Sequence, residues 1–122
     1  MANELELNIS YVFRDGDVEI DNSSEDPTYV DVVTPTYITS IMSVGTTAEA
    51  IPLGDVATPG FGYFRNLDET NFVDLYVSNG GSRFARLYPG EPFLGRLGPD
   101  VTAPYIKADT AACRVEYALF SV

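Results

Sequence analysis

Alternation of side chains is the strongest constraint on this chain. Around LELNISYVF, Leu5, Leu7, Ile9, Tyr11 and Phe13 fall on one side, and Glu4, Glu6, Asn8 and Ser10 on the other. A period of two is what a half-buried β-strand imposes on its residues. Asp15-Gly16 then reads as a turn, and DVEID as a strand with acidic Asp17, Glu19 and Asp21 on its exposed face. NSSEDP, Asn22 to Pro27, has the composition of a loop.

The pattern continues. TYVDVV and TYITSIMSV are rich in β-branched residues and Tyr and are separated at Pro35, which has no donor for an inner ladder and so marks a strand boundary or an edge. Around Ala48 to Ala50 there is room for one helical turn, confined by Pro52, Gly54 and Pro59. FGYFR, NFVDLYVS, SRFARLY, EPFLGRL, TAPYIKA and ACRVEYALF follow as further strand patterns. Asn79-Gly80 predicts a hairpin with a type I′ turn, because Asn and Gly tolerate the positive φ needed at both central positions. Pro89-Gly90 predicts another turn. Between FGYFR and NFVDLYVS lies the polar knot Asn66-Leu67-Asp68-Glu69-Thr70-Asn71, whose Asn, Asp and Thr side chains can bond their own backbone and shape a tight connection.

Eight or nine short strands with regular turn signals and no sustained helix predict an all-β fold, an antiparallel β-sandwich or barrel. The 122 residues match a single β domain, with residues 1–36 as an acidic strand or arm packed on, or extending from, a 37–122 core. A chain of this length buries enough surface to fold without a disulfide framework or structural metal.

Charge narrows the partners. Seven basic residues stand against eighteen acidic ones, with no His, for a net charge of −11. Eleven of the acidic residues and only Arg14 among the basic ones precede Gly62, so the surplus sits in the first half. Nucleic-acid affinity comes mainly from Lys and Arg displacing counterions, so no nucleic-acid partner is expected. Like-charge repulsion favours solubility. The N-terminus, MANELELNIS, lacks the charge and apolar core of a secretion signal, and no apolar run is long enough to span a membrane, so neither secretion nor a membrane partner is expected.

The residue types for chemistry are sparse. Cys113 is the only cysteine, and it alternates with Val115, Tyr117 and Leu119, which predicts a small buried side chain; no His is present to activate it. DGDVEIDNSSED places Asp15, Asp17 and Glu19 as an EF-hand loop would, but Ile20 and Asp26 stand where that loop needs Gly and Glu. It is not an EF-hand. A calcium site on a β-loop would draw first on Asp15, Asp17 and Asp21. No catalytic residue, cofactor site or phosphate-cradling loop is identified, and the chain is read as a non-enzyme. Tyr63, Phe64, Phe72, Tyr76, Phe84, Tyr88 and Phe93 form an aromatic set that either fills the core or anchors an interface.

Three segments carry a resemblance. GYFRNLDETNFVDLYV, LYPGEPFLGRL and APYIKADTAACRVEYALFSV, preceded by ITSIMSVGTTAEAIPLGD, resemble short β-rich virion proteins of tailed bacteriophages. The likeness covers about residues 37–122; upstream, only an N-terminal strand with Asn-Ile-Ser matches. The resemblance implies a head decoration (cement) protein, made in the host cytoplasm and placed on the outer surface of the head. Its implied partners are the major capsid protein and other copies of itself, with a homotrimer expected first and a dimer next. Arg83, Arg86, Arg96, Arg114, Phe93 and Tyr88 are then the candidate contact residues. The alternative is a tail, fibre or vertex module that recognises a host glycan or receptor.

Overall fold

A computed structural model of the chain describes residues 4–23, 26–32 and 36–121. Pro35, and Ser24-Glu25 of the NSSEDP loop, lie outside the described residues. The fold is all-β and antiparallel, with twelve short strands and no helix among the described residues. The count exceeds the eight or nine expected, partly because LELNISYVF is two strands rather than one. The Ala48–Ala50 segment is also a correction: it forms a two-residue strand in place of a helical turn. The chain divides into two units, Met1–Val33 and Thr34–Val122.

The first unit has two paired ribbons. β1 (Glu4–Leu7) pairs with β4 (Thr28–Asp31), and β2 (Ser10–Asp15) with β3 (Val18–Ser23). Gly16, at φ 58°, turns the β2–β3 hairpin. The expectation of one half-buried strand holds at Leu7, which is buried, and fails beyond Asn8, where Ile9, Tyr11 and Phe13 are exposed. Alternation sorts side chains onto two faces; it does not determine whether the apolar face is covered.

The second unit is built from two four-stranded sheets. One has the order β10 (Pro92–Arg96), β7 (Phe61–Asn66), β12 (Cys113–Phe120), β5 (Tyr37–Val44). The other has the order β6 (Glu49–Ala50), β11 (Tyr105–Ala108), β8 (Val73–Tyr76), β9 (Arg83–Leu87). Their inward residues share one core: Val44, Phe64, Val115, Tyr117 and Leu119 from the first sheet, and Val73, Leu75, Leu87 and Ile106 from the second. This is the arrangement of a sandwich. Cys113 faces the same core, as its alternation predicted.

Turn chemistry accounts for most of the connections. At Tyr88-Pro89-Gly90-Glu91, Gly90 has φ 81° and the Glu91 N–H donates to Tyr88 O. Asn79-Gly80 does join paired strands, but only Gly80 has positive φ, and no non-glycine residue among those described does. The turn is therefore not type I′. It is closed by the Gly81 N–H to Ser78 O, inside a Val77 N–H to Ser82 O bond.

Gly62 and Gly95 face each other in register on the inner side of β7 and β10. A Cβ on Gly62 would sit 2.9 Å from the Phe64 ring and 3.3 Å from Leu97, whereas one on Gly95 would meet Phe93 at 3.6 Å, an ordinary contact. Gly62→Ala should therefore lose roughly 1–3 kcal/mol by overpacking, and Gly95→Ala less than about 1 kcal/mol. Equal losses in paired urea titrations would contradict this packing.

Candidate functional site

The polar knot is a fully bonded turn. Asn66 ends β7, facing the core side, and is completely buried. Its Nδ2 donates to Asn71 O at 2.8 Å and Leu87 O at 3.0 Å, and its Oδ1 accepts from the Asp68 N–H at 2.9 Å. Asp68 Oδ2 accepts from the Asn71 N–H at 2.7 Å, the Thr70 N–H at 3.1 Å and the Thr70 hydroxyl at 3.2 Å. The backbone donors of Asn71 and Thr70 hold the Asp68 carboxyl below its ordinary range. Asn71 Oδ1 in turn accepts from the Thr110 hydroxyl at 2.8 Å. These side chains connect the end of β7, the loop before β8, the end of β9 and the loop before β12.

Cys113 lies beside the knot, with Sγ 3.7 Å from Asn71 O and from Ala111 O. Burial, reinforced by the nearby Asp68 charge, pushes the thiol up to about 11. A thiol held neutral is a poor nucleophile. Maleimide or a disulfide reagent at about pH 8 should leave native protein unlabelled and react only after denaturation; rapid labelling of the folded chain would contradict this placement.

On the outer face of the second sheet, Asp74 is buried and gripped by Arg86 through two bonds, at 2.7 and 3.0 Å. Arg83 approaches the same carboxylate at 3.5 Å. The Arg86 guanidinium also lies 3.9 Å over the Phe72 ring, and Tyr88 meets that ring edge-on at 5.7 Å. Hydrogen bonding to Asp74 raises the Arg86 pKa further above its ordinary value. Among the arginines expected as contacts, Arg86 is thus committed to an internal pair. Arg83, half-exposed, and Tyr88, exposed, remain accessible beside it.

The outer face of the first sheet is different. Tyr37, Ile41 and Leu94 are exposed there, around a hollow of about 390 Å³ lined by Thr39, Ile41, Tyr63, Glu116 and Ala118. Ala118 is the small side chain between β5 and β7 that leaves the space open. Arg65 Nε donates to Tyr63 Oη at 3.0 Å, and that hydroxyl donates to Glu116 Oε1 at 3.1 Å. Arg96, exposed, lies 5.1 Å over the Phe61 ring, and Arg114 is exposed on β12. A second hollow, of about 430 Å³, is lined by Thr36, Tyr37, Ile38, Thr39 and Asp55. Each hollow is lined by one carboxylate, Glu116 or Asp55.

The aromatic set divides. Phe64, Phe84 and Phe93 turn inward, with Phe93 6.1 Å from Phe64 and 5.8 Å from Phe84, so the Phe93 ring packs against the core with only part of its surface accessible. Phe72 and Tyr88 stand on one outer face and Tyr63 on the other. In the first unit, register puts Asp15 and Asp21 on opposite faces of the hairpin, since Asp15 pairs with Val18 and Asp21 with Val12. Among the described residues no three His, Cys, Asp or Glu side chains are grouped to hold a metal ion. Arg14 and Glu19, 3.4 Å apart, form an exposed ion pair that adds little stability.

Sequence reasoning missed Asp74 and the Arg65–Tyr63–Glu116 chain. Alternation in NFVDLYV does assign Asp74 to the side opposite Val73 and Leu75; its partner, twelve residues away across a bulge, leaves no local signal. No helix of the described residues is long and apolar enough to cross a membrane. Compared with known proteins, the chain matches no family model, no curated protein and no solved structure.

Proposed function

We propose that this chain is a virion structural protein of a tailed bacteriophage, a decoration protein that adheres to the outside of the mature head across neighbouring capsid subunits. One observation carries the reading: polar side chains at the turns are spent on internal bonds, while large apolar side chains are left on open strand faces. That is a surface for adhesion, and binding that favours the mature lattice over its precursor stabilises the shell by mass action. The resemblance of residues 37–122 to such proteins supports it, because the shared segments coincide with the bonded Asn66–Asn71 knot, the Tyr88–Glu91 turn and β12. The net charge of −11 suits an exterior position and would repel packaged genome. A trimer is the expected assembly on the shell, with Arg83, Arg96, Arg114 and Tyr88 as accessible contacts.

The test is a comparison of purified heads with and without the protein. Heads lacking it should break at lower temperature or lower chelator concentration, and readdition should restore them; undiminished survival of bare heads refutes the proposal. Copy number per particle separates this from a tail or vertex module, since a coat requires hundreds of copies and a vertex appendage about a dozen.

A further inference from the structure

The β2–β3 hairpin has two unlike faces. Register places Tyr11, Phe13, Val18 and Ile20 on one, continued by Ile9 and bounded by Asp15 at the turn and Asn22 at the far end, and the five apolar or aromatic side chains are between 52% and 57% exposed. The other carries Val12, Arg14, Glu19 and Asp21. A two-stranded ribbon is marginal in water unless its apolar face packs on something. The hairpin is also acidic, with Asp15, Asp17, Glu19 and Asp21 against Arg14.

A matching surface exists on the same chain's second unit. The outer face of the β10-β7-β12-β5 sheet is apolar around its hollow and carries Arg65, Arg96 and Arg114 against one carboxylate, Glu116, already bonded to Tyr63. One of its two edge strands, β5, reads YITSIMSV and has no charged residue, the device by which natural edges discourage pairing. Two hairpins packed face to face would instead bring their carboxylates together.

We propose that the β2–β3 hairpin is an exchange arm: its apolar face seats on the outer β10-β7-β12-β5 face of a second copy of this chain, with Phe13, central in the stripe, entering the hollow over Ala118. Half the surface of five large side chains is roughly 450 Å². Two reciprocal contacts, counted on both partners, then bury about 1,800 Å², within the range of a specific interface. Head-to-tail exchange around a three-fold axis makes the same contact three times.

Sedimentation equilibrium of the full chain from about 1 to 100 µM tests this. The wild type should form a closed oligomer, and Phe13→Glu and Ile41→Glu should each weaken it at least about tenfold. Mixing the two variants should restore association in part, as a 1:1 heterodimer held by the single pairing of an intact hairpin with an intact face. Val12→Gln, on the hairpin's other face, should assemble as wild type. Ile41 lies on a strand with eight register pairs, so its variant probes the contact even if Phe13→Glu unfolds the hairpin. A wild type that stays monomeric overturns the proposal, as does assembly unchanged by both substitutions or a mixture that associates no more tightly than either variant alone. Monomers that nonetheless coat heads would overturn arm exchange alone and leave the decoration reading intact.

Discussion

Asn66→Leu should remove about 3–5 kcal/mol from the stability of the second unit, measured by urea or guanidinium unfolding. The side chain is fully buried and makes three hydrogen bonds, to Leu87 O, Asn71 O and the Asp68 N–H. Leucine has the same branching and is somewhat larger, so the loss is not a cavity effect: it comes from backbone groups left without partners where water cannot reach, with some crowding added. Each buried polar group stranded in this way costs roughly 1–3 kcal/mol. Asn66→Asp should be no milder, since it would set a carboxylate oxygen against two carbonyls. In a unit of this size, the melting temperature should fall by about 15 °C or more. A loss below about 1 kcal/mol would mean that the knot is not held through Asn66.

Asp68 gives the knot a pH signature. Its folded pKa lies below the ordinary aspartate value because backbone N–H groups of Asn71 and Thr70 bond the charged form. A depressed carboxylate pKa contributes stability that is present above the unfolded value and is lost as pH falls through the folded one. Wild-type stability should therefore drop on acidification below about pH 4. Asp68→Asn, which keeps an acceptor but does not titrate, should show a shallower drop. The comparison isolates this residue from the other carboxylates, whose protonation relieves the chain's net negative charge.

How much of this was legible in the sequence depends on the range of the interaction. The knot was readable because most of the bonds that shape it run among six consecutive residues, and Asn, Asp and Thr have few other uses there; its ties to Leu87 and Thr110 were not. Cys113 was readable from β12 alone. The strand break at Asn8 was not, because Leu5 to Phe13 keep their alternation straight through it. The pairing partners change there, with β1 bonded to β4 and β2 to β3, and pairing is a property of distant residues. The Asn79-Gly80 turn failed for a local reason: four residues separate the Val77–Ser82 closing pair, so the loop is longer than the two residues that require positive φ at both centres. The arginines were identified by type, but only the register could show that Arg86 is locked to Asp74 while Arg83 and Arg96 remain accessible.

Phe93 poses the same problem in its sharpest form, and it can be tested. Among the aromatics from Tyr63 to Phe93, sequence offers no means of dividing core from surface, since each lies in or directly beside a short strand with alternating neighbours. The register Phe93↔Phe64 decides it: both rings point inward, and Phe84 closes over Phe93 from the facing sheet. Phe64→Ala, at a fully buried site, should cost about 3–5 kcal/mol; Phe93→Ala, at a half-buried one, about 2–3 kcal/mol. Tyr88→Ala should cost less than about 1 kcal/mol, because that ring is largely in solvent and touches Phe72 only along its edge. Binding should follow the opposite order. Loss of Tyr88 should weaken attachment to heads if the outer face of the second sheet meets the capsid, whereas Phe93→Ala protein that remains folded should attach as wild type. A Phe93 variant that keeps its full stability but loses attachment would place that ring at the interface and reverse the assignment.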